Sequence, residues 1–110
     1  MHPPTVPVQF PPPAPGVARV EASPSEQFDR LIRRVAPVYP PAAMKAGMGG
    51  VVLFQVLIGT DGHVQQTLAL TPNAAYVREA IQAVMQWVYR PAVVNGEAAE
   101  VTTVVPIEVP

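Results

Sequence analysis

Residues 49–70 read GGVVLFQVLIGTDGHVQQTLAL, and the first half of that run decides the fold. From Val51 to Ile58 both alternating sets are apolar. Val52, Phe54, Val56 and Ile58 share one face, while Val51, Leu53 and Leu57 share the other with the polar Gln55. Rich in β-branched residues, this run predicts a strand, and a strand apolar on both faces belongs in the middle of a sheet. Gly59-Thr60-Asp61-Gly62-His63 follows as a hairpin turn, with Asp-Gly supplying the positive φ that such turns need. His63 to Leu70 returns as a more polar, half-exposed strand.

Downstream, Thr71-Pro72-Asn73 caps a helix whose apolar stripe is Val77, Ala80, Ile81, Val84 and Val88. Tyr76 and Trp87 border that stripe on one side and Met85 on the other, with Arg78, Glu79, Gln82 and Gln86 opposite. Pro91 ends the helix, Asn95-Gly96-Glu97 turns, and Val101–Val109 (VTTVVPIEV) reads as the last strand. The hairpin makes the first two strands antiparallel neighbours. A helical crossover joins parallel strands, so the third strand lies on the far side of the first. The expected domain is therefore α+β, a three-stranded antiparallel or mixed sheet in the order 2-1-3. Its helices cover the Val52/Phe54/Val56/Ile58 face. The last strand becomes an edge, and Pro106 agrees, because proline within sheets is tolerated at edges. Val51, Leu53 and Leu57 then face away from the helices and need a cover. Either the N-terminal segment supplies it or a second copy does, in a strand-exchanged homodimer.

Upstream of the first strand, Ser23-Pro24-Ser25-Glu26 forms a capping box with proline at the first helical position. Phe28, Leu31, Ile32 and Val35 continue it as a one-faced helix that Pro37 stops. Pro37-Val38-Tyr39-Pro40-Pro41 is rigid and extended, and Ala42–Ala46 favours a short helix ended by Gly47. Eight of the fifteen prolines fall within the first 24 residues. The chain thus divides into a Pro-rich tether over 1–22, largely extended or disordered, and a packed domain over 23–110.

Composition excludes several function classes. Net charge is −1 with a pI near 6.0, which gives no electrostatic footprint for nucleic acid or an anionic membrane. Arg30, Arg33 and Arg34 cluster beside Glu26 and Asp29, as a solvated helix face or, alternatively, a patch for an acidic partner. With no cysteine, thiol catalysis, disulfides and thiolate metal sites are all excluded. His63 reads as an exposed turn residue with no second metal ligand placed near it. Glu97, Glu100 and Glu108 read as solvated charge, and Ser23 and Ser25 have no base at motif spacing. The glycines at 47, 49 and 50 precede a strand rather than a helix, so they cradle no phosphate. No catalytic residue, metal site or cofactor is expected. No apolar run reaches the ~20 residues that span a bilayer. Met1-His2-Pro3-Pro4 runs straight into the tether, so the sequence reads as an excised piece with an added start, and any membrane anchor would lie upstream.

One ordered set of short motifs carries a resemblance. Pro37-x-Tyr39-Pro40 is followed by Ala43, by Gly50 opening a strand, and by Asp61-Gly62 in the hairpin. Then come Ala80-x-x-x-Val84-x-x-Trp87-x-Tyr89-x-Pro91, Asn95-Gly96 and Val105-Pro106-Ile107. In this order and spacing the chain resembles the C-terminal domain of the TonB family of energy transducers. The resemblance spans Leu31 to Val109, and the Pro-rich stretch resembles the family's periplasmic tether. It implies a non-enzymatic, periplasmic domain anchored in the inner membrane through a segment absent here and driven by an ExbB/ExbD-like motor. It also implies that the domain captures the TonB-box peptide of outer-membrane transporters as a strand added to its last strand. The edge residues would be Val101, Thr102, Thr103, Val104, Val105 and Ile107, with Tyr39 and Met44 as flanking contacts. Met44 stands where the best-known members carry glutamine, so box specificity is not implied. Gly49 stands where an acid is common, and Val88 where a basic residue often separates the Trp and Tyr; neither disturbs the expected fold. About fifteen extended tether residues would reach roughly 45 Å at ~3.1 Å each. The alternative is the same module serving as an interaction domain at the end of a membrane sensor or peptidase, without a role in transport.

Overall fold

The computed structural model describes residues 10–39, 41, 50–70 and 77–109. Within it β1 (Arg19–Glu21), α1 (Pro24–Asp29) and β2 (Leu31–Arg33) precede the main hairpin of β3 (Gly50–Ile58) and β4 (Val64–Ala69). Then follow α2 (Val77–Val84), β5 (Val88–Tyr89), β6 (Ala92–Val94) and β7 (Glu97–Val109). The main sheet runs β1-β7-β3-β4, with β6 also paired to β7, while β2 and β5 form a separate two-stranded sheet.

The inner order β4-β3-β7 is the expected 2-1-3 arrangement, with β3 antiparallel to both neighbours. Along β7 the register runs from Ile58 opposite Val101 to Gly50 opposite Val109. Val52, Phe54, Val56 and Ile58 are buried with Ala80, Val84, Val101, Val105 and Ile107 in one core, so α2 covers the expected face. On the opposite face Leu57 is buried, whereas Val51 and Leu53 stay 54% and 38% exposed. The hairpin turn closes through Gly59 N–H to His63 O at 2.8 Å and Gly62 N–H to Gly59 O at 2.9 Å. Gly62 sits at φ 84° with its Cα against the Tyr89 carbonyl, so a side chain there would be both strained and in collision.

Four local expectations are corrected. The helix entered at Ser23 ends at Asp29, and Leu31–Arg33 forms a strand paired with β5 instead of a second helical turn. That helix buries Gln27, while Phe28 is 64% exposed. Val88 likewise lies in β5 rather than on the α2 stripe. Both departures have one cause: Leu31 pairs with Tyr89, and Arg90 N–H donates to Arg30 O at 2.7 Å, a cross-strand closure that outweighs local helical spacing. Third, the sheet is wider than three strands. Arg19–Glu21, within the stretch assigned to the tether, pairs in parallel with Glu100–Thr102. Fourth, β7 begins at Glu97, because Asn95 (φ 52°) and Gly96 (φ 83°) turn β6 tightly into it. The short helix expected over 42–46 and the cap at 71–73 lie outside the described residues.

Candidate functional site

The backbone of β7 alternates in direction, and its pairings show which residues face which neighbour. Glu100 N–H donates to Ala18 O at 2.9 Å and Ala22 N–H donates to Thr102 O at 3.0 Å, so the even-numbered residues turn their backbone groups outward, towards β1. The odd-numbered residues turn theirs towards β3. Continuing the alternation, Val104, Pro106 and Glu108 present their groups outward beyond the end of β1. No strand among the described residues pairs with that side there. Pro106 fits because proline has no N–H to lose.

The start of the edge is filled instead. Arg19 Nε and Nη2 donate to Glu100 Oε1 at 3.0 and 2.8 Å, with both side chains largely buried. Thr103 Oγ1 donates to Ala22 O at 2.9 Å. Glu100 is thus a structural ion-pair partner rather than the solvated charge its position suggested. β1 then leaves the edge at Ser23-Pro24, where Ser23 Oγ accepts from Glu26 N–H at 3.2 Å and opens α1.

The expected site residues therefore divide. Val101, Thr103, Val105 and Ile107 point into the core side and are buried; Thr102 is buried beneath β1; Val104 is half-buried. Of the six, Val104 is the one whose backbone groups lie on the open outer edge. Tyr39 is brought to the far end, where its hydroxyl donates to Glu108 O at 3.1 Å. Burial and the nearby Glu79 carboxylate both raise its pKa. Met44 lies outside the described residues. Glu108 belongs to the open edge and escaped the sequence reading, although its even spacing from Val104 and Pro106 was a usable signal.

Two hollows flank the open half. One, of about 330 Å³, lies where β1 gives way to α1, against Gln55, Thr102 and Val104. The other, of about 130 Å³, lies on the helix side between α1 and β7 and is lined by Gln27, Phe28, Arg34, Trp87, Val104 and Pro106. Trp87 is held by its Nε1–H, which donates to Val35 O at 2.8 Å, and the Arg34 guanidinium lies 5.6 Å over its ring. Tyr89 closes the back of this hollow, and burial pushes its pKa up to about 12. His63 is exposed beside Asp61, 3.4 Å from its carboxylate, as a turn residue should be. Among the described residues, no group of three or more His, Cys, Asp or Glu side chains could hold a metal ion.

The sequence profile described as "Gram-negative bacterial TonB protein C-terminal" matches residues 35–108. The chain belongs to the TonB C-terminal family. It is 31% identical over 65 residues to Protein TonB of Vibrio cholerae serotype O1, covering 57% of this chain and 27% of that protein. The chain therefore spans about a quarter of that curated relative's length. Among solved structures it is similar to the TonB C-terminal domain of Pseudomonas aeruginosa, with 28% identity and a TM-score of 0.53, covering 70% of this chain and 82% of that one. It is also similar to the TonB2 protein of Vibrio anguillarum, with 32% identity and a TM-score of 0.53, covering 98% and 95%. The family match starts at Val35, so β1, α1 and β2 lie upstream of it.

Proposed function

We propose that this TonB C-terminal domain works in the periplasm by pairing the open half of β7 with the TonB-box peptide of an outer-membrane transporter. In this reading the domain transmits force derived from the inner-membrane proton gradient. An ExbB/ExbD-like motor supplies that force through an inner-membrane anchor not contained in the sequence. The observation that carries the reading is the outward-facing stretch Val104–Glu108, left unpaired by β1 in a chain of this family. An extended guest can bond Val104 N–H and C=O, Pro106 C=O and Glu108 N–H. Each bond is worth a net ~0.5–1.5 kcal/mol, and ordering the peptide consumes much of that sum. Pairing alone is weak, and side-chain contacts beside the edge must add to it.

Titration of the ¹⁵N-labelled chain with a TonB-box peptide tests this. The expected result is movement of the Val104 and Glu108 amides with the Gly59–His63 hairpin unchanged. Movement of the hairpin with none along Glu97–Val109 would overturn it.

A further inference from the structure

Glu100 and Thr102 turn their outward backbone groups to β1, with Glu100 N–H donating to Ala18 O at 2.9 Å and Ala22 N–H to Thr102 O at 3.0 Å. Beyond β1 the same edge is poorer. Pro106 has no N–H, and Glu108 O already accepts from the Tyr39 hydroxyl. The stretch of β7 best equipped to hold an extended chain is therefore the one covered from within.

What covers it is peripheral to the fold. The buried residues of the core all lie between Val52 and Ile107, and Val20 and Ala22 lean on it only partly buried. The family match begins at Val35, so the matched domain contains β3, β4, α2 and β7 without β1. Two local stops bound β1. Ala14 O accepts from Val17 N–H at 3.0 Å across Pro15-Gly16, a turn with Gly16 at φ 82°, and the Ser23 cap begins α1 on the other side. A strand of three residues between two such stops attaches or detaches as a unit. Its hold on β7 is nevertheless specific: Arg19 donates twice to Glu100 Oε1, and Thr103 Oγ1 donates to Ala22 O at 2.9 Å.

We propose that β1 is an intramolecular competitor for the β7 edge, a strap that occupies Glu100–Thr102 until an incoming strand displaces it. This rests on the strand-addition reading above and adds its regulation. A guest confined to Val104–Glu108 finds few backbone partners. One that reaches back to Glu100 gains four more groups, the N–H and C=O of Glu100 and of Thr102, but only after the strap has opened. Its apparent affinity is then the intrinsic one reduced by the fraction of chains whose strap is off. The Arg19–Glu100 pair tunes that fraction, which makes it a control on capture as well as a support of the fold.

The test titrates the full chain, Val20→Pro and Arg19→Glu with a TonB-box peptide and reads the backbone amides. Val20 shares the phase of Ala18 and Ala22, so Val20→Pro removes a strap donor without touching β7. Arg19→Glu instead sets two carboxylates side by side. Both variants are expected to bind about tenfold more tightly, the gain for a strap open about a tenth of the time in the native chain. In both, the Glu100 and Thr102 amides should respond along with Val104 and Glu108, while an unchanged Gly59–His63 hairpin reports an intact fold. Adding Glu100→Arg to Arg19→Glu should restore the native affinity, which guards against a folding defect in the single variants. A capped peptide of residues 17–22, VARVEA, should compete with the TonB-box peptide for Val20→Pro. Unchanged affinity in both variants, with Val104 and Glu108 still responding, would overturn the strap and leave strand addition standing. If the TonB-box peptide moves no β7 amide in any form of the chain, strand addition falls, and the strap has no guest to exclude.

Discussion

Between Glu100 and Thr102 the outer edge of β7 is occupied by the chain's own β1; from Val104 to Glu108 no strand among the described residues pairs with it. The two halves belong to one strand and share one partner in β3 from Val101 onward, although the first is mostly polar and the second mostly apolar. What separates them is two residues elsewhere. Ser23 caps a helix and Pro24 has no N–H for a ladder, so β1 turns into α1 and cannot extend along β7. The length of the available edge is therefore set by a capping box, not by β7 itself. The second half is protected from indiscriminate pairing by Pro106, which interrupts its row of donors.

Thr103→Pro and Val104→Pro break the comparison most directly, because adjacent residues point opposite ways. Thr103→Pro removes an amide turned towards β3 and the side-chain bond to Ala22, so about 3 kcal/mol or more of stability should be lost in denaturant unfolding. Val104→Pro should change stability by less than about 1 kcal/mol yet weaken peptide capture at least tenfold by titration. Equal losses of stability in both would show that the outward phase has been assigned to the wrong residues.

A pH series sharpens the open half, since Tyr89 closes its hollow. Its folded pKa of about 12 lies above the usual 10.0, so its contribution to stability is complete below pH 10 and is lost as pH rises towards 12. Tyr89→Phe should remove that alkaline limb in a thermal-unfolding series. The closed half responds to Arg19→Ala, which should cost about 1 kcal/mol and speed exchange of the Ala22 amide severalfold. Peptide affinity should stay constant if the guest keeps to Val104–Glu108, and should rise if it must displace β1. The smallest change is Tyr39→Phe. It frees Glu108 O for a guest, so affinity should rise by about twofold while stability falls by roughly 0.5 kcal/mol.

The long, strongly patterned parts were legible beforehand. The double apolar alternation of Val51–Ile58 placed β3 at the centre, Asp61-Gly62 located the hairpin, and a crossover argument placed β7 on the correct side. The short strands were not. Arg19–Glu21 is too brief to show a period, lies among prolines, and finds its partner 81 residues away. Leu31 and Val88 satisfied helical spacing while belonging to strands, because β2 and β5 exist only through each other. Gln27 was hidden for a different reason: burial of a polar residue on a helix beside an apolar Phe28 inverts the usual pattern. The candidate site was therefore legible as a strand, but which half of its outer edge β1 covers depended on contacts that local sequence does not encode.

The direction of β1 has a mechanical consequence. It runs parallel to β7, and the proline-rich stretch enters the fold directly through it. Under the proposed force-transmitting role, tension applied at that stretch would act along the strand axis, so the Arg19–Glu100 pair and the backbone bonds at Ala18 and Ala22 would bear load together instead of peeling one after another. Such a pull would meet β1 as a shear clamp before it reached the core.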